Sequence, residues 1–558
     1  MHSLLKTIGI RLLWALISAT LLICILWAGL HWLIVPRIDE FKPAIQAQAS
    51  RALGLQVQIG KIQPQGGWWV PWFEINDIVL LDAQGREALR LPRVLAAVSP
   101  HSVIQAQFEH LVIERPELDI RKDAQGQIWV AGLNTQVQGD GQGANWFFSQ
   151  PEFVVTQGLV RWKDETRGGK DAEVLQLSQV DFSMKNPANT HQLRLDFTPA
   201  PEWGGRISLR AKFHQLPWHD AGEFASWSGE LFADMPQIDV SNLRHWITLD
   251  HGLSLQKGRG GLKVWADVSK GAWTGINADI ALDEVDVRLG EDLSQLNLRH
   301  IKGNLGAKWR GDEVELSSHD LMFETQEGEH WPGGDLRMSW KGQDFNSGTL
   351  SADKLDVSAL SQISQRLPLP AQLHTALQSL QPKGQIAKLQ ASWKANAAHS
   401  QTPYDYTAKG QLLGFSVTQD RAHAQWRNLP GIDGGDIDFD LNQEGGQAKV
   451  RINDGHLALP QGLEDPVLHF TTAQAQVSWK IHGSDLSLQI NNAQLSNAHA
   501  SGNFSGSWKN GVGAARWPGV VDLSGNFERV EINQVPRCCP HSCEITCTKR
   551  WIKAWPAT

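Results

Sequence analysis

Carboxylates in close pairs and rows are the residues of this sequence that could do acid–base chemistry. Asp283 and Glu284 are adjacent, and Asp436, Asp438 and Asp440 occupy every second position of one segment. Two carboxyl groups that flank one bond are what glycoside hydrolysis requires. Acids at every second position are, however, also typical of the solvated face of a β-strand. We therefore assign the row to a strand surface and predict no catalytic residues and no enzyme.

Other catalytic and ligand-binding signatures are missing. The chain contains no G-x-G-x-x-G, G-x-x-x-x-G-K-[ST], G-x-S-x-G or H-E-x-x-H sequence, so nucleotide-binding, α/β-hydrolase and zinc-protease functions lose their main support. His423, His456, His469 and His482 lie among alternating segments without a fixed partner spacing. We expect these histidines to be packed or solvated, and we predict no cofactor.

Composition limits the class of protein. The 558 residues are 41% hydrophobic and 20% charged, which is enough for several domains with apolar cores. A formal charge of −8 without a long basic run excludes electrostatic recruitment of a nucleic acid. No cysteine lies between Cys24 and Cys538, which fits folding in an oxidising compartment without intended disulfides.

An apolar segment near the N-terminus predicts a transmembrane helix. Leu12–Val35 contains no acidic or basic residue except His31, and as a helix it would span a hydrocarbon core of about 30 Å. A cleavable signal peptide is the alternative, but no A-x-A-like cleavage site follows Trp27. Lys6 and Arg11 favour a cytoplasmic N-terminus. We therefore expect a single-pass protein with its bulk outside the cytoplasm.

A short amphipathic helix should follow the anchor, and β-structure should follow the helix. Pro43 can open this helix and Gly54 can close it. Beyond it, segments such as Asp436–Asn442 and Asp485–Asn491 alternate apolar and polar residues, which predicts strands with one wet face. The same pattern predicts strands at 193–197, with Arg194 and Asp196 on the wet face, and at 207–213; turns are predicted at 123–126, 433–435 and 453–455.

A tryptophan followed by Lys or Arg recurs along the β-rich region. The seven tryptophans, usually at the end of an alternating run, are Trp162, Trp309, Trp340, Trp393, Trp426, Trp479 and Trp508. Recurrence at irregular intervals favours a repeated strand-and-turn unit in an elongated stacked sheet. An ordinary set of sandwiches rich in Trp is the alternative. A partly helical interruption is predicted near 357–380.

The quantity of one-sided apolar strand, with no matching helices to cover it, leaves two arrangements. Two sheets could enclose a dry core, or one curled sheet could present an apolar trough that another molecule fills. Acyl chains suit such a trough, because burial of CH₂ groups needs no recognisable motif. The candidate groove-lining residues are Ile437, Phe439, Leu441, Leu486, Leu488 and Ile490.

Three features together carry a family resemblance. They are the anchor running into Pro36-Arg37-Ile38, the helix Ala44–Leu53 followed by Gly54, and Leu111–Arg121 with Gly126 and Trp129. With these features the chain resembles AsmA-like proteins of the YhdP type, loosely to about residue 536. The resemblance implies an inner-membrane anchor and a periplasmic β-groove that carries phospholipid toward the outer membrane. It implies no catalytic residues.

The resulting expectation is a mainly β protein with an N-terminal transmembrane helix, a short amphipathic helix and an elongated, curled antiparallel β-groove. The expected segments are 1–36 (cytoplasmic tail and anchor), 37–134 (AsmA-like module), 135–536 (repeated β-groove) and 537–558 (an aberrant tail). The expected function is lipid transfer or envelope homeostasis, with the inner membrane, phospholipid and envelope proteins as partners. The alternatives are a non-catalytic assembly scaffold that binds proteins and, more remotely, an enzyme acting on envelope glycans.

The tail departs from everything before it. Cys539, Cys543 and Cys547 are spaced by four residues and would share one helical face, as metal ligands can, but Pro540 and the absence of flanking ligands oppose a metal site. A shifted reading frame explains more, because one choice of codons hides an amphipathic helix in another frame. We therefore expect a truncated or frame-shifted family member.

Overall fold

The computed structural model describes most of the chain as β-structure. It describes residues 2–29, 32, 35–53, 56–66, 70–81, 85, 87–99, 102, 107–130, 133–134, 142–166, 174–245, 253–342, 345–369, 371–396, 404–417, 430–458, 467–511 and 519–531. The described helices are α1 (His2–Gly29), α2 (Lys42–Leu53), α3 (Gln142–Phe148), α4 (Val357–Ile363) and α5 (Ala371–Leu380). Short 3₁₀ segments lie at Val35–Phe41, Pro201–Trp203, Phe224–Ser226, Val240–His245 and Ser364–Arg366.

The described strands follow one another with few interruptions. The strands up to residue 239 are β1 (Gln56–Gly66), β2 (Trp72–Leu81), β3 (Glu87–Ala97), β4 (His110–Glu114), β5 (Glu117–Lys122), β6 (Ile128–Val130), β7 (Leu133–Asn134), β8 (Glu152–Asp164), β9 (Val174–Lys185), β10 (Thr190–Thr198), β11 (Ile207–His214) and β12 (Ser228–Asp239). The next are β13 (Leu253–Ser269), β14 (Ala272–Leu289), β15 (Leu296–Arg310), β16 (Glu313–Thr325), β17 (His330–Pro332), β18 (Leu336–Lys341), β19 (Ser347–Asp356) and β20 (Lys383–Ala395). The last are β21 (Tyr404–Val417), β22 (Gly431–Asn442), β23 (Gly445–Ala458), β24 (Val467–His482), β25 (Asp485–Ser496), β26 (Ala500–Lys509) and β27 (Val520–Val530).

The chain divides into two compact units. The first comprises Met1–Thr248 and Arg259–Ala278, and the second comprises Leu249–Gly258 and Asp279–Thr558. Both are built on β-sheet, so the prediction of a mainly β protein is confirmed. The segments at 37–134 and 135–536 stay a prediction, and the tail 537–558 with its four cysteines lies outside the described residues.

The N-terminal helices precede the sheet of the first unit. Helix α2 confirms the predicted amphipathic helix, and its apolar residues Ile45 and Ala49 pack against a core that includes Ile38. Within the described part of the chain, no helix combines the length and the apolar sequence that a membrane span requires. Residues 30, 31, 33 and 34 of the predicted anchor lie outside that part.

The sheet of the first unit departs from the antiparallel prediction at one place. Strands β1 to β4 form an antiparallel meander, but β4 and β5 both pair with β8 in parallel. The chain between β5 and β8 includes α3, which supplies the long crossover that a parallel pair needs. From β8 to β12 the described neighbours are antiparallel again.

An aromatic core fixes α3 on this sheet. Phe147 and Phe148 of the helix pack with their ring centroids 4.7 Å from Phe153 and 5.1 Å from Trp227, respectively. Buried Met184 belongs to the same apolar cluster as Phe153. Aromatic pairs at these separations add to the area they bury. The part of the first unit's sheet beneath α3 is therefore covered by the protein's own side chains.

The prediction that Asp196 lies on a solvated face of β10 is wrong, because only 4% of this residue is exposed. Burial raises the pKa of this carboxyl group, but hydrogen bonds from Ser208, Arg194 and Arg210 outweigh that effect and lower the pKa to about 2. The Ser208 hydroxyl donates over 2.6 Å, Arg194 Nε over 2.7 Å and Arg210 Nη1 over 2.9 Å. A buried carboxylate is tolerated here because two guanidinium groups face it.

The second unit is an antiparallel meander with a helical interruption. Within it, described pairings connect β15 to β16, β16 to β18, and then each strand from β18 to β27 with the next. Helices α4 and α5, with the 3₁₀ turn between them, confirm the predicted interruption near 357–380. Asp356 caps α4 by accepting a hydrogen bond from the Ala359 amide.

Two of the three predicted turns are wrong. Residues 123–126 do form a turn, between β5 and β6. Residues 433–435 instead lie inside β22 and residues 453–455 inside β23, where Gly434 and Asp454 adopt φ of 70° and 49°. Left-handed residues within a ladder are typical of β-bulges, which bend the strand without ending it. The Gly-rich and Asp-rich signals therefore mark bends.

Asp196 generates a pH prediction. Its folded-state pKa lies below the unfolded value, so the stabilisation is fully present above about pH 4 and disappears as the pH falls toward 2. Asp196→Asn should lower the free energy of unfolding of the full chain by about 2 kcal/mol at pH 7. Denaturant unfolding between pH 7 and 3 should show the difference from wild type shrinking. Glu230→Gln, at an exposed position of β12, is the control; an Asp196→Asn deficit that does not change with pH would contradict this account.

Candidate functional site

The six predicted groove-lining residues lie on one face of the second unit's sheet. Leu441 of β22 is opposite Gly446, Gly446 is opposite Trp479, and Trp479 is opposite Leu488. Directly opposite residues share a face, and so do residues two apart in a strand. The ladder therefore places Ile437, Phe439 and Leu441 on the same face as Leu486, Leu488 and Ile490. That they contact a ligand stays a prediction.

The same face continues across eight strands. One row of directly opposite residues runs from β20 to β27 through Ala391, Ala408, Leu441, Gly446, Trp479, Leu488, Trp508 and Val521. Its members are small, aliphatic or aromatic. We call this face of β20–β27 the apolar face.

The apolar face is only partly covered. All six candidate residues are half-buried, and Val521 and Leu523 of β27 are 53% and 57% exposed. A small cluster around Ile452, Phe470 and Ala473 is buried. Helices α4 and α5 come before β20, and no helix is described in residues 383–396, 404–417, 430–458, 467–511 or 519–531. Large apolar side chains left partly exposed over several strands indicate a surface for a binding partner.

Five tryptophans mark one edge of the second unit's sheet. Trp309, Trp340 and Trp393 belong to one register row with Val314 and Gly348. Trp479 and Trp508 flank Leu488 further along. Their strands, β15, β18, β20, β24 and β26, all run in the same direction, so every Trp lies toward the C-terminal end of its strand. We call this edge the tryptophan edge; Trp426 lies outside the described residues, and Trp162 belongs to the first unit.

Glycines opposite the tryptophans are residues that sequence reasoning missed. A Cβ atom on Gly446 would lie 2.6 Å from Cζ2 of Trp479, and one on Gly348 would also overlap the ring of Trp393. The indole rings thus cover the backbone of the neighbouring strand, an arrangement that stabilises glycine in a sheet. The Gly445-Gly446 pair is visible in the sequence. Sequence reasoning did not connect this pair with the recurring tryptophans.

A cavity of about 640 Å³ lies at the tryptophan edge. Its lining draws on five strands, from β22 to β26. From the apolar row it includes Leu441, Gly446, Trp479, Leu488 and Trp508. From the rows on either side it includes polar residues, among them Ser487, Lys480, Lys509 and the carboxylate Asp440. Two of the six candidate residues, Leu441 and Leu488, thus line this cavity.

Two of the five acids considered for catalysis, Asp436 and Asp438, have structural partners. Asp438 accepts hydrogen bonds from Gln411 over 2.8 Å and from Arg451 over 3.1 Å, and Asp436 accepts one from the Gly414 amide over 2.9 Å. These contacts are what a polar strand face needs to hold its neighbours in register.

Among the described residues, the histidines singled out in the sequence do not converge on one metal site. His456 contacts Asp433 over 3.6 Å and His469 with ring centroids 5.5 Å apart, whereas His482 is exposed on β24. In the part of the chain that the structure describes, no three His, Cys, Asp or Glu side chains are grouped as metal ligands. His423 lies outside it.

Comparison with known families adds a direct assignment. The family model described as "YhdP protein" matches residues 1–554, which is nearly the whole sequence. No curated protein matches the chain closely enough to count as a relative. Because the match covers far more than half of the chain and agrees with the mainly β fold, the chain belongs to the YhdP family.

Proposed function

We propose that this protein holds phospholipid acyl chains on the apolar face of β20–β27 and takes part in lipid transport or homeostasis of the cell envelope. The observation that carries the proposal is the continuous apolar register row whose large side chains stay partly exposed. Membership of the YhdP family is compatible with this function. We assign the protein no catalytic role.

Physical chemistry supports acyl chains as the occupant. Each CH₂ group moved from water to an apolar surface contributes about 0.8 kcal/mol, so several chain carbons give substantial affinity without any directional contact. A row of aliphatic and aromatic side chains is sufficient for such binding, and a small residue such as Ala408 leaves room above the sheet. The surface therefore requires no recognisable sequence motif.

The proposal includes a single-pass anchor at Leu12–Val35, a cytoplasmic N-terminus and a periplasmic bulk. It rests on the apolar sequence of this segment and on Lys6 and Arg11 before it. Protease added to spheroplasts should degrade nearly all of the chain beyond the anchor. Survival of the bulk until the inner membrane is lysed would place it in the cytoplasm and contradict the proposal.

A substitution at Leu488 distinguishes a lipid-filled surface from a dry protein core. Leu488 is half-buried, whereas Ile452 is 4% exposed. In the same detergent, Leu488→Asp should change the free energy of unfolding by no more than about 1 kcal/mol, because its carboxylate reaches solvent. Ile452→Asp should cost about 3 kcal/mol or more, because a buried carboxylate lacks a partner. Mass spectrometry of the purified full chain should find phospholipid on wild type and less of it on Leu488→Asp.

Asn491→Asp is the matched control, since it places the same charge at an exposed position on the opposite face of the same strand. It should leave both stability and bound phospholipid close to wild type. A scaffold filled by its own side chains would give a different pattern, in which Leu488→Asp destabilises as much as Ile452→Asp and wild type carries no lipid. Damage by Asn491→Asp alone would show that the assigned face is wrong.

A further inference from the structure

The tryptophan edge carries a second feature, a cation directly after each of its tryptophans. The five cations are Arg310, Lys341, Lys394, Lys480 and Lys509, and all are exposed. None of them has an ion-pair partner within 4.0 Å among the described residues. Some other cations of the second unit are paired, such as Arg451 with Asp438 over 3.1 Å, whereas others, such as Lys409 and Lys449, also have no ion-pair partner within 4.0 Å in the part of the chain that the structure describes. The edge therefore presents positive charge that is not matched by direct contact.

Two of these cations meet at the cavity. Lys480 is opposite Ser487 and Ser487 is opposite Lys509 in the ladder. The lysine Cα atoms are thus two strand spacings apart, or about 9.5 Å. The flexible four-carbon stems allow both ammonium groups to approach one anionic group beside the Ser487 hydroxyl. Asp440 is the one carboxylate among the lining residues, against these two lysines.

The apolar row lies immediately beside Lys480, Ser487 and Lys509. Trp479, Leu488 and Trp508 are directly opposite one another, each one residue away from Lys480, Ser487 and Lys509 in its own strand. Successive residues of a strand point to opposite faces. At the end of the strands the sheet thus offers an apolar surface on one side and cations on the other, and long lysine side chains can extend around such an edge.

The opposite end of these strands differs. There the carboxylates Asp433 and Glu531 contact His456 over 3.6 Å and His499 over 2.9 Å. Asp433 also accepts a hydrogen bond from Ser416. Arg529 lies at that end too, and the exposed carboxylates Glu444 and Asp485 lie at the tryptophan edge. What distinguishes the tryptophan edge is the pair Lys480 and Lys509 next to the apolar row, which favours an anionic group there.

Resting on the proposed function, we infer that Lys480 and Lys509 bind the phosphate of a phospholipid whose acyl chains lie on the apolar face, beside Trp479 and Trp508. Phosphate is the fitting anion because ammonium groups bind it as point charges, and a serine hydroxyl between them can donate to its oxygens. Indole rings suit the boundary between the chains and the headgroup, since they are amphipathic. Lipids would then lie with their headgroups at the tryptophan edge.

The test compares lipids of the same acyl chains with and without a phosphate-containing headgroup. Full chain freed of bound lipid is titrated in detergent with phosphatidylglycerol, with diacylglycerol of the same chains and with inorganic phosphate. The double variant Lys480→Gln/Lys509→Gln should bind phosphatidylglycerol about tenfold more weakly and diacylglycerol as wild type does. Raising the salt concentration should shrink the wild-type preference for phosphatidylglycerol.

Lys409→Gln/Lys449→Gln is the matched control, because these exposed lysines lie on the polar face in mid-strand. It should bind both lipids like wild type, and Lys480→Arg/Lys509→Arg should restore binding of phosphatidylglycerol. An equal loss of both lipids in the Gln variant, or no loss, would overturn the inference while leaving acyl-chain binding intact. Lysine-dependent binding of inorganic phosphate as tight as that of phosphatidylglycerol would overturn it in favour of a free-anion site. Failure of wild type to bind either lipid would refute the proposed function itself.

Discussion

Hydrogen-bond register between antiparallel strands is the constraint on which the second unit depends. Side chains alternate between faces with a period of two, so a slip by one residue would move Leu441 or Leu488 from the apolar to the polar face. The register is held by pairs on the polar face, such as Arg451 with Asp438 and Gln411 with Asp438. Polar contacts on one side thus preserve a continuous apolar surface on the other, and that surface is what the proposed function uses.

Bulges and glycines adapt this ladder without breaking it. Gly434, Asp454 and Asn492 have positive φ within strands, which increases local twist while the pairing resumes on either side. At the tryptophan edge the absence of a Cβ atom at Gly446 lets an indole ring lie over the neighbouring backbone. Large rings and bare backbone therefore complement each other across strands, so the apolar surface is shaped by pairs of residues that are distant in sequence.

Alternation in the sequence was enough to predict the strands around Asp436–Asn442 and Asp485–Asn491 and to sort their side chains into two faces. It was not enough to separate a turn from a bulge at 433–435, because Asp and Gly favour positive φ in both. Nor could alternation show that Asp196 is buried, since that depends on Arg210 from the next strand. The recurrence of Trp followed by a cation was visible in the sequence. The position of these tryptophans along one edge was not, because it depends on their strands running in the same direction.

The two units use apolar surface differently. In the first, α3 brings Phe147 and Phe148 onto the sheet and the aromatic cluster is closed by protein. In the second, β27 exposes 53% of Val521 on the continuation of the row that contains Leu488. A sheet that leaves this surface accessible loses apolar burial that a covering helix would have supplied, and an acyl chain can replace what that helix would contribute.

Site-specific photo-crosslinking in cells labelled with radioactive phosphate tests the central claim, lipid on the apolar face, most directly. Leu488→p-benzoylphenylalanine places the probe on that face, and Gln489→p-benzoylphenylalanine places it one residue away on the polar face. The account predicts a radioactive lipid adduct from position 488 and little from position 489. Equal labelling at both positions, or none at 488 while the full-length protein is folded, would contradict it.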